Sequence, residues 1–110
     1  MSKPAPLSAR DVVRTVAPKL IELTDTVLFG DVWERPGLSK RDRSLITVAA
    51  LLALGREAQM KSHMDRALNN GVTRDEIIEL VTHLAFYSGW PTAMTGALTA
   101  KDVFAQRDGQ

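Results

Sequence analysis

No cysteine occurs among the 110 residues. That absence removes disulfides, thiolate nucleophiles, iron–sulfur clusters and cysteine-ligated zinc. Charge of one sign is also missing: fourteen Lys and Arg stand against thirteen Asp and Glu, a net of +1. Such a balance leaves no electrostatic footprint for nucleic acid or a membrane surface. No run approaches the length of apolar sequence that a bilayer span requires, and the opening MSKPAPLSARD lacks the apolar core of a secretory signal. The two histidines lie twenty residues apart, without the i, i+4 partner that sets two metal ligands on one helical face. Glycine-rich phosphate loops and nucleophile-elbow sequences are absent. Strand signals are scarce, with no long period-two alternation and no Asn-Gly turn between β-branched runs. The expectation is a cytoplasmic protein with no metal, no cofactor, no nucleic-acid partner and no membrane contact, in one domain over 1–110.

What is there reads as helix. A loose arm with two prolines covers 1–7, and Ser8 caps a short helix through Val16. Pro18 opens the next helix, PKLIELTDTVLFG, which Gly30 closes. The chain then breaks at Pro36-Gly37, and Ser39 caps KRDRSLITVAALLAL with Asp42 three residues on. Gly55 ends that helix and Gly71 the following one, while Thr73 with Glu76 forms a capping box for IIELVTHLAFYS. Gly89-Trp90-Pro91 precedes a last helix over roughly 91–106, with RDGQ at 107–110 as a frayed tail. The fold class is all-α, about six helices with short connections. The helix at 39–54 is apolar nearly all round from Leu45 to Leu54, so it needs cover on most of its circumference. A subunit interface is one source of that cover.

Three groups of side chains could do chemistry. His63 falls on the apolar face formed by Met60, Met64, Ala67 and Leu68, with Arg56 and Gln59 at i, i+3, i+7 spacing to it. The plain alternative is a core histidine bonded to a neighbouring carbonyl. On the next helix Glu76, Glu79, His83 and Tyr87 line one side at i, i+3, i+7 and i+11. A solvated flank beside Ile77, Val81, Leu84 and Ser88 explains them equally, and the capping box accounts for Glu76. Third, Arg35, Lys40, Arg41, Arg43, Arg56, Lys61 and Arg66 outnumber Asp42, Glu57 and Asp65, a local excess that draws small anions. Helix surfaces often carry such charges.

The stretch from WERPGLSKRDRSLIT through HMDRALNNGVTRDEI to YSGWPTA, within 29–104, closely resembles the carboxymuconolactone decarboxylase family. The resemblance implies an all-helical fold around a central helical hairpin, like alkylhydroperoxidase D, and a homo-oligomer, commonly a trimer or hexamer. The family's thiol-peroxidase branch carries Cys-x-x-Cys-x-x-x-His. Setting its histidine on His63 puts the cysteine positions at Arg56 and Gln59, and its preceding glutamate at about Ser44. Both thiols and the acid are missing, so peroxide reduction by a thiolate is not expected. What remains resembles the decarboxylase-like branch, from which the chain departs at position 59: many members have a carboxylate where this chain has Gln59.

That resemblance implies a cofactor-free decarboxylase acting on 4-carboxymuconolactone or a similar small anionic substrate. His63 would transfer the proton, with Gln59 and Tyr87 as neutral donors to the developing dienolate. Arg43 or Arg56 would hold the remaining carboxylate, with Trp90 as an apolar wall and His83 beside the substrate. A related isomerase or lyase on another acid, or a ligand-binding helical oligomer without catalysis, would use the same residues.

Overall fold

The computed structural model describes residues 7–109. Six α-helices and no strand occur among them: α1 (Ala9–Val16), α2 (Pro18–Leu23), α3 (Lys40–Ala53), α4 (Glu57–Asn69), α5 (Arg74–Ser88) and α6 (Trp90–Asp108). The arm expected over 1–7 lies, but for Leu7, outside the described residues. The chain divides at the Pro36-Gly37 break into two compact units, one ending at Gly37 and one starting at Leu38.

In the first unit Ser8 caps α1 by accepting from the Asp11 amide. The helix expected to run from Pro18 to Gly30 is α-helical only through Leu23. Residues Thr24–Phe29 form a wider π-helical turn, in which the Thr24 and Thr26 hydroxyls donate back to the Leu20 and Glu22 carbonyls. A β-carbon at Gly30 would stand 2.7 Å from the carbonyl oxygens of Asp25 and Thr26, so glycine permits the close end of that turn. A 3₁₀ turn at Val32–Glu34 buries Trp33.

The second unit is two antiparallel hairpins, α3–α4 and α5–α6, packed so that α3 meets α5 and α4 meets α6. The helices thus stand around a square on which α4 and α5 are diagonal. Its interior is filled by Val48 and Leu52 of α3, Met60, Met64 and Ala67 of α4, Ile77 and Val81 of α5, and Ala100 and Val103 of α6. Each large side chain removed from water contributes roughly 1.5–3 kcal/mol.

The caps are those the sequence specifies. Ser39 accepts from the Asp42 amide, and the Thr73–Glu76 box is made in both directions. Gly55 and Gly71 close α3 and α4 at φ of 71° and 97°, conformations that cost other residues a steric penalty. Thr73→Ala should therefore cost about 1 kcal/mol, seen as a lower urea midpoint with an unchanged slope. α6 runs two residues beyond the expected end. Arg107 donates to Asp65 at 2.6 Å and Arg74 to Asp108 at 2.6 Å, so the stretch expected to fray is tied down through Asp108.

α3 turns Ser44, Val48 and Leu52 inward, while Ile46 and Leu54 remain 56% and 70% exposed. Among the described residues no helix is long and apolar enough to cross a membrane.

Candidate functional site

α4 has two flanks beside its buried stripe of Met60, Met64 and Ala67. One faces α6: Glu57, Ala58 and Lys61 line a groove there with Thr99 and Asp102. The other faces α3 and carries Gln59 and, a turn on, His63, with Asn70 at the C-cap two turns further. Its orientation is set by the Asn70 amide, which donates to the buried Ser44 hydroxyl at 2.9 Å. Ser44 is the position where the thiol-peroxidase branch would hold its acid. Here it is a structural tie.

His63 is half-buried on that flank, with its Nδ1 enclosed. Burial pushes the imidazole below its ordinary pKa, and the positive charge of Arg66, one turn further along, adds to the effect. The group is therefore neutral near pH 7. Sequence reasoning placed Arg66 only in the basic cluster; its effect on His63 is legible in their i, i+3 spacing. Arg66→Gln should raise the His63 pKa toward its ordinary value. A ¹³C-histidine NMR titration reads this directly, because only two histidines need assigning. The sign for stability follows from linkage. With the native pKa lowered, this contribution is intact above about pH 6.5 and is lost as pH falls through the native value.

Arg56 occupies the N-cap of α4, where no side chain satisfies the first-turn amides. A cation there opposes the helix dipole. An anion bound between the guanidinium and those amides relieves both defects. Gln59 follows at i+3 and is exposed. His63 follows at i+7, about 10 Å along the axis, and its side chain leans back toward the N-terminus. Arg56, Gln59 and His63 thus form one ladder that can receive a small acid lengthwise. Arg43 precedes Ser44 on α3 and is half-buried, with its Nε enclosed.

The remaining predicted residues gather elsewhere. His83 and Tyr87 stack on α5 with ring centroids 4.9 Å apart. His83 borders an open groove of about 380 Å³ between α3 and α5, with Leu45, Ala49, Leu80 and Leu84 as its floor and Glu76 and Glu79 at its edge. The Glu76 carboxyl is held below its ordinary pKa, first by the Thr73 amide and then by the Arg41 guanidinium. Those carboxylates suit an anionic substrate poorly. Trp90, at the start of α6, is 61% exposed and meets Phe86 edge-on at 5.9 Å. Because α4 and α5 are diagonal, one chain does not bring Tyr87 or His83 to His63. Among the described residues no group of three or more His, Asp or Glu is placed to hold a metal ion.

Comparison with known proteins accords with this architecture. Residues 18–102 match the Carboxymuconolactone decarboxylase family. The chain is 47% identical over 76 residues to the 4-carboxymuconolactone decarboxylase of Acinetobacter baylyi, covering 69% of this chain and 57% of that protein. It is 36% identical over 80 residues to the nitrosuccinic acid decarboxylase of Metarhizium robertsii, covering 73% and 56% respectively. The chain therefore spans little more than half the length of these curated relatives. With most of its length matched, the hairpin fold in place and His63 on the second helix of that hairpin, the chain belongs to the carboxymuconolactone decarboxylase family.

Proposed function

We propose that the chain is a cofactor-free decarboxylase of a small carboxylated lactone or related acid, with His63 as the proton-transfer group. The observation that supports this most is the Arg56–Gln59–His63 ladder, a neutral, half-buried imidazole two turns from an uncapped helix N-terminus bearing a guanidinium. The names of the two relatives agree with it, since both are decarboxylases of small acids.

The chemistry asks little of the protein. In 4-carboxymuconolactone the C–C bond to the departing carboxylate breaks as carbon dioxide leaves. Its electron pair moves through the conjugated system onto the lactone carbonyl oxygen, and the resulting dienolate takes one proton on carbon. Arg56 and the first-turn amides of α4 hold the carboxylate that stays. Gln59 donates from its amide to the dienolate oxygen, an interaction worth roughly 3–4 kcal/mol when a donor is well placed. His63 returns the proton. Its low pKa in the free protein is reversed by substrate, because the added negative charge favours imidazolium. The proton is thus loaded when substrate binds. Gln59, a neutral donor, also suits an acid other than 4-carboxymuconolactone.

A panel of 4-carboxymuconolactone, nitrosuccinate and simple β,γ-unsaturated dicarboxylates, scored by carbon dioxide release, tests the reading. Release from at least one acid with an adjacent electron sink is expected. Binding without release from any of them would favour a ligand-binding oligomer, and rearrangement without release an isomerase.

A further inference from the structure

The groove between α3 and α5 is lined by the second unit alone and takes no part in the function read above. Ala49 makes the space. It lies one turn after Leu45 on α3, and as the smallest side chain of the lining it leaves a hollow of about 380 Å³ against Leu80 and Leu84 of α5. The three leucines pack on the core from one side and remain only half-buried. Apolar surface of that kind gains when an apolar body displaces water from it. Ring surface continues the wall: His83 lines the groove, and Tyr87 stacks on it with centroids 4.9 Å apart. Two carboxylates stand at the edge. Glu76 is committed, since it accepts from the Thr73 amide and pairs with Arg41. Glu79, one turn on, is exposed and forms no ion pair among the described residues.

We propose that this groove binds a small organic cation, an ammonium joined by a short tether to one aromatic ring. The ring lies on Leu45, Ala49, Leu80 and Leu84, and the ammonium reaches Glu79. Size selects the occupant. Small-molecule sites run from roughly 300 to 1,000 Å³, and a hollow near the lower end holds one ring rather than a peptide segment. Charge selects the sign. With Glu76 paired to Arg41, Glu79 supplies the field at the edge, which attracts a cation and repels the small acids that suit the α4 flank. An ammonium beside stacked rings gains further from their π faces. The site is independent of the decarboxylase reading, because α4 contributes nothing to its lining.

The probe is 2-phenylethylammonium. Titrated into the full chain, it should shift the methyl NMR signals of Leu45, Ala49, Leu80 and Leu84, saturating in the millimolar range expected of so small a ligand. Glu79→Gln should weaken it about fivefold, the upper end for an exposed ion pair. Ala49→Phe, which fills the hollow, should abolish saturation while the helical circular dichroism stays unchanged. The anion 3-phenylpropionate, with the same ring and tether ending in a carboxylate, should leave the Leu45, Leu80 and Leu84 methyls unmoved. Saturable shifts confined to other residues, or none at all, overturn the site. Equal binding of amine and acid, or equal affinity in wild type and Glu79→Gln, removes the role of charge and with it the proposal. Binding retained by a folded Ala49→Phe chain puts the ring elsewhere and overturns it too. Each outcome holds whether or not the chain releases carbon dioxide from any acid.

Discussion

Replacing His63 with alanine should lower turnover of 4-carboxymuconolactone by about two orders of magnitude or more, with helical content unchanged. The expectation combines position with protonation. The imidazole occupies the α3-facing flank of α4 and is only half-buried, so its removal leaves no large void in the core. The buried stripe of Met60, Met64 and Ala67 beside it stays intact. The loss should therefore fall on chemistry rather than folding. It should appear in kcat more than in KM, because proton return is made in the transition state while Arg56 still anchors the substrate. Arg56→Gln should show the opposite emphasis, with KM rising first. A folded His63→Ala chain with full turnover would remove the imidazole from the mechanism.

The largest effect on stability should come from Leu52→Ala, about 2–5 kcal/mol. Leu52 is fully buried where the second unit's helices converge. α6 also approaches it closely, since a β-carbon at Gly96 would stand 2.7 Å from Leu52 Cδ1. That close approach fixes the cavity left by truncation, because the α6 backbone is held by packing along Ala93, Ala100 and Val103 and cannot readily collapse into it. Thermal or urea unfolding of Leu52→Ala measures the loss directly. A cost below 1 kcal/mol would mean that α6 moves in to fill the space, and Gly96 would not mark a rigid contact.

Features decided within a turn or two were legible in the sequence. Ser8, Ser39 and the Thr73–Glu76 box cap the helices they precede, because a cap needs only a side-chain oxygen and an amide three residues away. The same locality applies to Gly55 and Gly71, and to the stripe of Met60, Met64 and Ala67. The π-helical turn after Leu23 was not legible. Nothing in TDTVLF breaks α periodicity, and the widening depends on threonine back-bonding and on Gly30. The extension of α6 depends on Asp65, forty-two residues from Arg107. The site divided along the same line. Arg56, Gln59 and His63 share one helix, and their spacing alone places them together. Tyr87 and His83 could be assigned to His63 only by knowing which helices are neighbours, and the diagonal placing of α4 and α5 separates them within one chain, whereas Trp90 starts α6, which packs against α4.

The central claim is that this fold decarboxylates a small acid with its own side chains. Carbon dioxide release from 4-carboxymuconolactone, followed in chelator-treated wild type and in folded His63→Ala side by side, tests it most directly. Sustained release by the chelated wild type, falling about a hundredfold or more in the variant, is the predicted result. Release that stops with the chelator, or that is equal in the two proteins, would contradict it.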